Sequence, residues 1–293
     1  MNSEKKCSMN EIKFDKEKCI KCGLCLKDCI LKCIESDKDN YPQFVHQNRC
    51  ISCQHCFSIC PRGAITFNNI NPCDVQIEEN DYLFKLIQNR RSTRLYKNEQ
   101  LPLETLEKLK SVLHYCPTGV NSHSLHFSIV ETKSVMEYLK NKCNKRFLKI
   151  LNNPILKPFF AKFEFYKKWF EDGEDIIFRN APHMIVASSP QNAPCKKEDA
   201  IIALSYFELY ANNLGVSTCW CGYGEICLKL FPDLSELLDI PKTHVPIYVM
   251  LFGKPAVQYH RPTKQTKYKI SEIKNIKENI PFSISRFIQN LFN

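Results

Sequence analysis

Apolar residues change their spacing near Asp81 of this 293-residue chain. From there on they recur at helical or strand periods. Leu83, Leu86 and Ile87 share one helical face, with Asp81 placed as an N-cap. Leu106, Leu109, Val112 and Leu113 predict a second helix over Leu103–His114. Phe127, Ile129 and Val130 predict a strand, and 134–150 a helix. The apolar runs His183–Ser189 and Pro246–Gly253 predict buried strands. Between them, Asp199–Leu214 reads as a long apolar helix that stops at Gly215. Helices mixed with strands, without regular βα alternation, predict an α+β domain. The aromatic-rich stretch Phe159–Phe170 predicts core packing of a helix. Near the C-terminus, Ile284, Phe287, Ile288 and Leu291 form a helical stripe that needs a covering surface.

Upstream of Asp81 the pattern is set by cysteines. CIKCGLCLKDC over 19–29 and CISCQHCFSIC over 50–60 are two C-x2-C-x2-C-x3-C runs, offset by 31 residues. Ile20 matches Ile51 and Ile34 matches Ile65, so one supersecondary unit is used twice. Two-residue gaps let a tight loop aim three thiolates at one cubane, while the fourth serves the other cluster. Cys19, Cys22, Cys25 and Cys60 are therefore assigned to one [4Fe–4S] cluster, and Cys50, Cys53, Cys56 and Cys29 to a second. Zinc usually takes two C-x2-C pairs rather than two runs of four, and disulfides need an oxidising compartment. Cys33 lies four residues past Cys29, where the second half has Ala64; it reads as a small buried hydrophobe.

Residues 10–70 resemble a bacterial-type ferredoxin with two [4Fe–4S] clusters. One departure is Ile30 after Cys29, where the second half has Pro61 after Cys60. The Asn, Pro and acidic residues of 68–80 read as a linker. The expected division is a cluster domain over 1–75 and a second domain over 76–293 that includes a C-terminal tail.

Composition narrows the setting. Hydrophobic residues make up 44% of the chain, ample for a globular core. Of 17 cysteines, those outside the two runs show no paired framework, which argues for a reducing, cytoplasmic environment. The start MNSEKKCSMN has no apolar run, so no signal peptide is expected. No stretch approaches 18 consecutive apolar residues, so no membrane span is expected.

A second constellation lies in the later domain. RRSTRLY at Arg90–Tyr96 follows the first helix; alone it reads as a solvated, dipole-favoured helix end. Guanidinium forks also match phosphate oxygens. CPTGVNSHSLHFSIV (Cys116–Val130), NLGVSTCWCGY (Asn213–Tyr223) and FGKPAVQYHRP (Phe252–Pro262) follow in order. No G-x-G-x-x-G is present, so there is no Rossmann signature. The ordered set resembles the nitroreductase family of FMN flavoproteins over residues 82–262. That resemblance implies an α+β sandwich with a mostly antiparallel central sheet flanked by helices. It implies that Arg90, Arg91, Ser92 and Arg94 hold the FMN phosphate and ribityl chain, with Arg261 returning to the phosphate. Pro117, Thr118 and Gly119 would lie along the flavin, Asn121 at its pyrimidine edge, and Cys221 and Gly222 near N5. His123-Ser124-Leu125 stands where the family commonly has Gln-Pro-Trp.

The expected function is an enzyme with two [4Fe–4S] clusters and FMN that reduces a small electron-poor acceptor, nitroaromatic- or quinone-like. Its donor is reduced ferredoxin or NAD(P)H, and the resemblance implies a homodimer with FMN at the subunit interface. The alternative is an electron carrier or redox-sensing module without turnover of its own. The net charge of +10 raises nucleic acid as a partner. Two clusters with their thiolates bring about −4 and a flavin phosphate up to about −2. Much of the basic excess then balances cofactors, and neither nucleic acid nor membrane is expected as a partner.

Overall fold

The computed structural model describes residues 10–75, 81–264, 268–275, 283–285 and 289. The chain divides into two compact units, Met1–Thr263 and Lys264–Asn293. In the C-terminal unit Ile284 is exposed, while Phe287, Ile288 and Leu291 of the predicted stripe lie outside the described residues.

Within the first unit the cysteine-rich segment is built from β1 (Ile12–Phe14), α1 (Leu24–Asp28), β2 (Ile34–Ser36), β3 (Pro42–Phe44), α2 (His55–Ile59) and β4 (Ile65–Phe67). α1 and α2, and β2 and β4, stand at the same 31-residue offset as the cysteines. β1 pairs antiparallel with β4, Ile12 opposite Phe67, and β2 with β3, Ile34 opposite Phe44. Phe57, Ile59, Ile65, Ile34 and Phe67 fill the small core that this pairing encloses.

The larger part contains α3 (Tyr82–Asn89), α4 (Leu103–Val112), β5 (His126–Val130), α5 (Lys133–Asn152), α6 (Ala161–Glu164), α7 (Lys167–Glu171), β6 (His183–Pro190), α8 (Lys196–Asn213), β7 (Ser217–Trp220), α9 (Gly222–Leu230), α10 (Pro232–Leu237) and β8 (His244–Gly253). The four strands form one antiparallel sheet in the order β5-β6-β8-β7. Successive strand residues face opposite sides. Accordingly Ile185, Ala187, Met250 and Phe252 pack with α4 and α8 through Leu109, Leu204 and Phe207. Met184, Val186, Val249 and Leu251 pack on the other side with Leu139 and Phe147 of α5 and Cys227 of α9. A sheet covered by helices on both faces is the expected sandwich, and it explains why β6 and β8 read as unbroken apolar runs.

Local signals account for several boundaries. The Asp81 carboxylate accepts from the Phe84 N–H (2.9 Å), so the predicted cap starts α3. Gly215 takes φ 72° after α8, and the Val216 N–H returns to the Ala211 carbonyl (2.9 Å). Two expectations are revised. The apolar stripe of α3 is not covered: Leu83 is 57% and Ile87 48% exposed. The aromatic stretch is not one helix but a 3-10 turn over Lys157–Phe160 followed by α6 and α7. Phe163, Tyr166 and Phe170 are buried as expected, whereas Phe165 and Phe159 stay exposed. Among the described residues, no helix is long and apolar enough to cross a membrane.

Candidate functional site

The two cysteine loops share one backbone recipe. Lys21, Gly23 and Lys32 take positive φ in the first half, and Ser52, Gln54 and Gly63 take it at the matching positions of the second. These left-handed residues curl each loop back on itself, which turns three sulfurs inward. The fourth cysteine of each run follows the short helix. There the Cys33 N–H donates to Cys29 Sγ (3.2 Å), and the Ala64 N–H to Cys60 Sγ (3.2 Å). Cys33 therefore occupies the place of Ala64 and is buried in the core, while Cys29 occupies the place of Cys60.

The thiols group across the repeat as the spacing suggests. Cys19, Cys22, Cys25 and Cys60 line one small hollow. Burial, then Cys60, Cys22 and Cys19, pushes the Cys25 thiol up to about 12. Burial likewise raises Cys56, with Cys53 and Cys29 as its nearest thiols. Cys53 is raised by burial and by Cys29 and Cys50, and lowered by the charge of Arg94. Among the described residues no group of His, Cys, Asp or Glu is close enough to hold a single metal ion. The donor sets are all-thiol, four and four, which fits two cubane bodies.

The Arg90–Arg94 run lies along the outer edge of β7. Ser92 bridges Thr218 in parallel register, and the Thr93 N–H donates to the Thr218 carbonyl (2.9 Å). Arg90 Nη1 donates to Glu208 (3.2 Å), which also accepts from Thr218 Oγ1 (3.0 Å) and Trp220 Nε1 (3.1 Å). Arg91 is the informative member. Its Nη1 donates to the Gln88 and Arg90 carbonyls, while Nε and Nη2 are buried with no hydrogen-bond partner. Burial, then the neighbouring Arg90, lowers its pKa to about 10. A buried cation with two free fork donors is what a phosphate would satisfy, so this place fits an FMN phosphate.

Arg94 is engaged differently. Its Nη1 lies 2.9 Å from His55 Nε2, which also lies 3.1 Å from the Ser92 carbonyl. His55, the first residue of α2, lies between Cys53 and Cys56. Nδ1 faces the Cys53 carbonyl (3.3 Å), and the tautomer sets whether Nε2 accepts from Arg94 or donates to Ser92. Burial, then the Arg94 charge, lowers His55 to about 4, so the ring is neutral. Asp28, beside Cys29, is 2% exposed and accepts from the Tyr259 hydroxyl (3.2 Å). Burial raises the Asp28 carboxyl to about 6, against the pull of Arg94. His55, Asp28, Tyr259 and Glu208 carried no sequence signal, since each acts through partners distant in the chain.

Several predicted residues are placed elsewhere than expected. Arg261 Nη1 donates to the Phe57 (2.8 Å) and Cys60 (2.6 Å) carbonyls, so it closes on the second cysteine loop rather than on Arg91. The Cys221 N–H is spent on the Val249 carbonyl (2.8 Å), and its buried thiol accepts from the Gly224 N–H (3.3 Å). Gly222 is the first residue of α9, and the first N–H groups of a helix have no partner within it. The Gly119 N–H donates to Asp199 (2.8 Å) near the start of α8, and Cys195 Sγ lies 2.4 Å from where a Gly119 Cβ would stand. Glu208, which holds Arg90, lies nine residues further along α8, about 13.5 Å at 1.5 Å per residue. Pro117 and Asn121 are exposed beside Val120, which is 84% exposed and held at φ 48°. The Pro117–Asn121 loop and the arginine run thus meet α8 at two places about 13.5 Å apart. A hollow of about 840 Å³ between the start of α8, α9 and β8 contains none of these residues.

Comparison with known proteins follows the same division. A family model described as the nitroreductase family matches residues 87–254, and one described as a 4Fe-4S dicluster domain matches 18–65. An NADPH-dependent oxidoreductase of Staphylococcus epidermidis is 25% identical over 180 residues, covering 60% of this chain and 66% of its own length. The chain therefore spans just under two thirds of that relative. Ferredoxin-3 of Nostoc sp. is 35% identical over 72 residues, which cover 19% of this chain and 74% of that protein. A nitroreductase with bound FMN from Desulfitobacterium hafniense superposes with TM-score 0.54 at 21% identity, over 67% of this chain and all of that one.

Proposed function

Because the chain belongs to the nitroreductase family and carries a 4Fe-4S dicluster domain ahead of it, we propose that it is an iron–sulfur flavoprotein oxidoreductase. It passes electrons between two [4Fe–4S] clusters and FMN and reduces a small electron-poor acceptor of nitroaromatic or quinone type. The observation that carries this reading is the contact of His55 with Arg94 and Ser92. A side chain lodged between two cluster cysteines touches the run proposed to hold the flavin phosphate, so the two cofactor sites are built as one piece.

When bound, the clusters supply one-electron transfer and FMN two-electron chemistry at N5. The chain's residues bind and orient. The eight cysteines hold the clusters in the two sets assigned above. Arg91, with Arg90 and Ser92, takes the phosphate, and Arg94 and Arg261 brace the cysteine loops against it. The Gly222 N–H holds the N5 edge. Pro117, Thr118, Gly119 and Asn121 serve the flavin of a second copy, which makes the protein a homodimer. Exposed Tyr115, Val120, Ile201, Ile202 and Tyr206 leave apolar surface that such an assembly could cover. The Staphylococcus relative's name supports NADPH as donor; reduced ferredoxin is the donor expected if electrons enter at the clusters.

Anaerobic purification tests the reading. It predicts about eight irons and one FMN per chain, with NADPH- or ferredoxin-driven turnover of a nitroaromatic. Cluster absorbance without flavin or turnover would instead support the carrier reading.

A further inference from the structure

The contact between the cysteine-rich segment and the aromatic turn encloses a cleft that the assignments above leave unused. Leu31, Arg49, Phe163, Phe165, Tyr166 and Tyr223 line it, and its volume is about 370 Å³, within the range of small-molecule sites. Four walls are aromatic. The Phe163 and Tyr223 ring centres are 5.5 Å apart, and the Tyr223 and Tyr166 hydroxyls are hydrogen-bonded at 3.0 Å. Tyr223, which lines the cleft, directly follows Gly222, the residue proposed to face N5.

One lining residue is charged. The Arg49 guanidinium stands 4.7 Å over the Phe165 ring, is exposed, and has no ion pair among the described residues. Lys32, its neighbour across the same junction, is already paired with Glu174 (2.9 Å) while it sits over Trp169. Arg179 adds positive charge near Tyr223. No carboxylate lines the cleft. Aromatic walls select a flat ring, and a guanidinium laid on one of them keeps fork donors for an anionic oxygen pair.

We propose that this cleft binds a planar aromatic acceptor carrying a carboxylate, with Arg49 of the cluster segment as the residue that selects the anion. The assignment deepens the oxidoreductase reading and rests on it for the acceptor's role. It also gives the cluster segment a part in substrate choice besides electron transfer.

Titration calorimetry on the oxidised holoprotein with 4-nitrobenzoate and its methyl ester tests it. Wild-type protein is expected to bind the acid about tenfold more tightly than the ester, as for a charge-assisted pair. Arg49→Gln should remove that preference and leave ester binding unchanged; Arg49→Lys should keep part of it. Phe165→Ala should weaken both probes alike. A preference that survives Arg49→Gln, a wild type with no preference, or no binding of either probe overturns the assignment. Binding is read without turnover, so an inactive protein that shows the preference counts against the proposed reaction and not against the cleft.

Discussion

Arg91→Ala releases FMN on desalting while the iron content stays unchanged. Arg91 has two buried fork donors without a partner, whereas Arg90 is held by Glu208 and Arg94 by His55. Charge-assisted hydrogen bonds contribute about 1.5–3 kcal/mol each. Losing a bidentate pair should weaken FMN binding by about a hundredfold or more. Arg91→Lys should not restore it, because an ammonium cannot reproduce the fork. Without FMN the effect is small: removing a half-buried cation whose Nε and Nη2 lack partners offsets the two carbonyl bonds of its Nη1, so the apoprotein stays about as stable as wild type. Flavin fluorescence in the flow-through and thermal melts of both apoproteins read the two effects. Retention of FMN by Arg91→Ala would place the phosphate elsewhere.

Glu208→Ala gives the second large effect, on stability. Glu208 is 6% exposed and accepts from Arg90, Thr218 and Trp220. Its removal leaves a buried hydroxyl, an indole N–H and a guanidinium unpaired at the edge of the sheet. Stripping one partner from such a cluster costs about 3–5 kcal/mol. For a chain of this size that lowers Tm by about 10 °C. Glu208→Gln keeps an acceptor and should lose less. A shift under about 2 °C for the alanine variant would show that water replaces the carboxylate.

What could be read from the sequence follows from how local each signal is. The cysteine loops were legible because each sulfur is placed by backbone within a few residues, and the repeat states the rule twice. β6 and β8 were legible because both their faces are buried, so every position is apolar. β7 was not, since Ser217–Trp220 mixes polar and apolar residues in four positions. The stripe of α3 was legible as a helix, but its period does not say what covers it. The arginine run was legible as anion-binding chemistry, yet which arginine is free depends on His55 and Glu208, at 39 and 118 residues' separation. The same limit applies to Arg261, whose partners at Phe57 and Cys60 lie more than 200 residues away. The homodimer expectation drew on the resemblance.

Electron passage between the clusters and FMN is the central claim, and anaerobic stopped-flow at the flavin band tests it most directly. Wild-type and Cys53→Ser holoproteins are mixed in turn with reduced ferredoxin and with dithionite. Cys53 is proposed to hold the second cluster, and His55, two residues on, meets Arg94. The account predicts that Cys53→Ser keeps its FMN on Arg91, that ferredoxin reduces this flavin far more slowly than in wild type, and that dithionite reduces both proteins alike. Flavin reduction by ferredoxin at the wild-type rate in Cys53→Ser would contradict it.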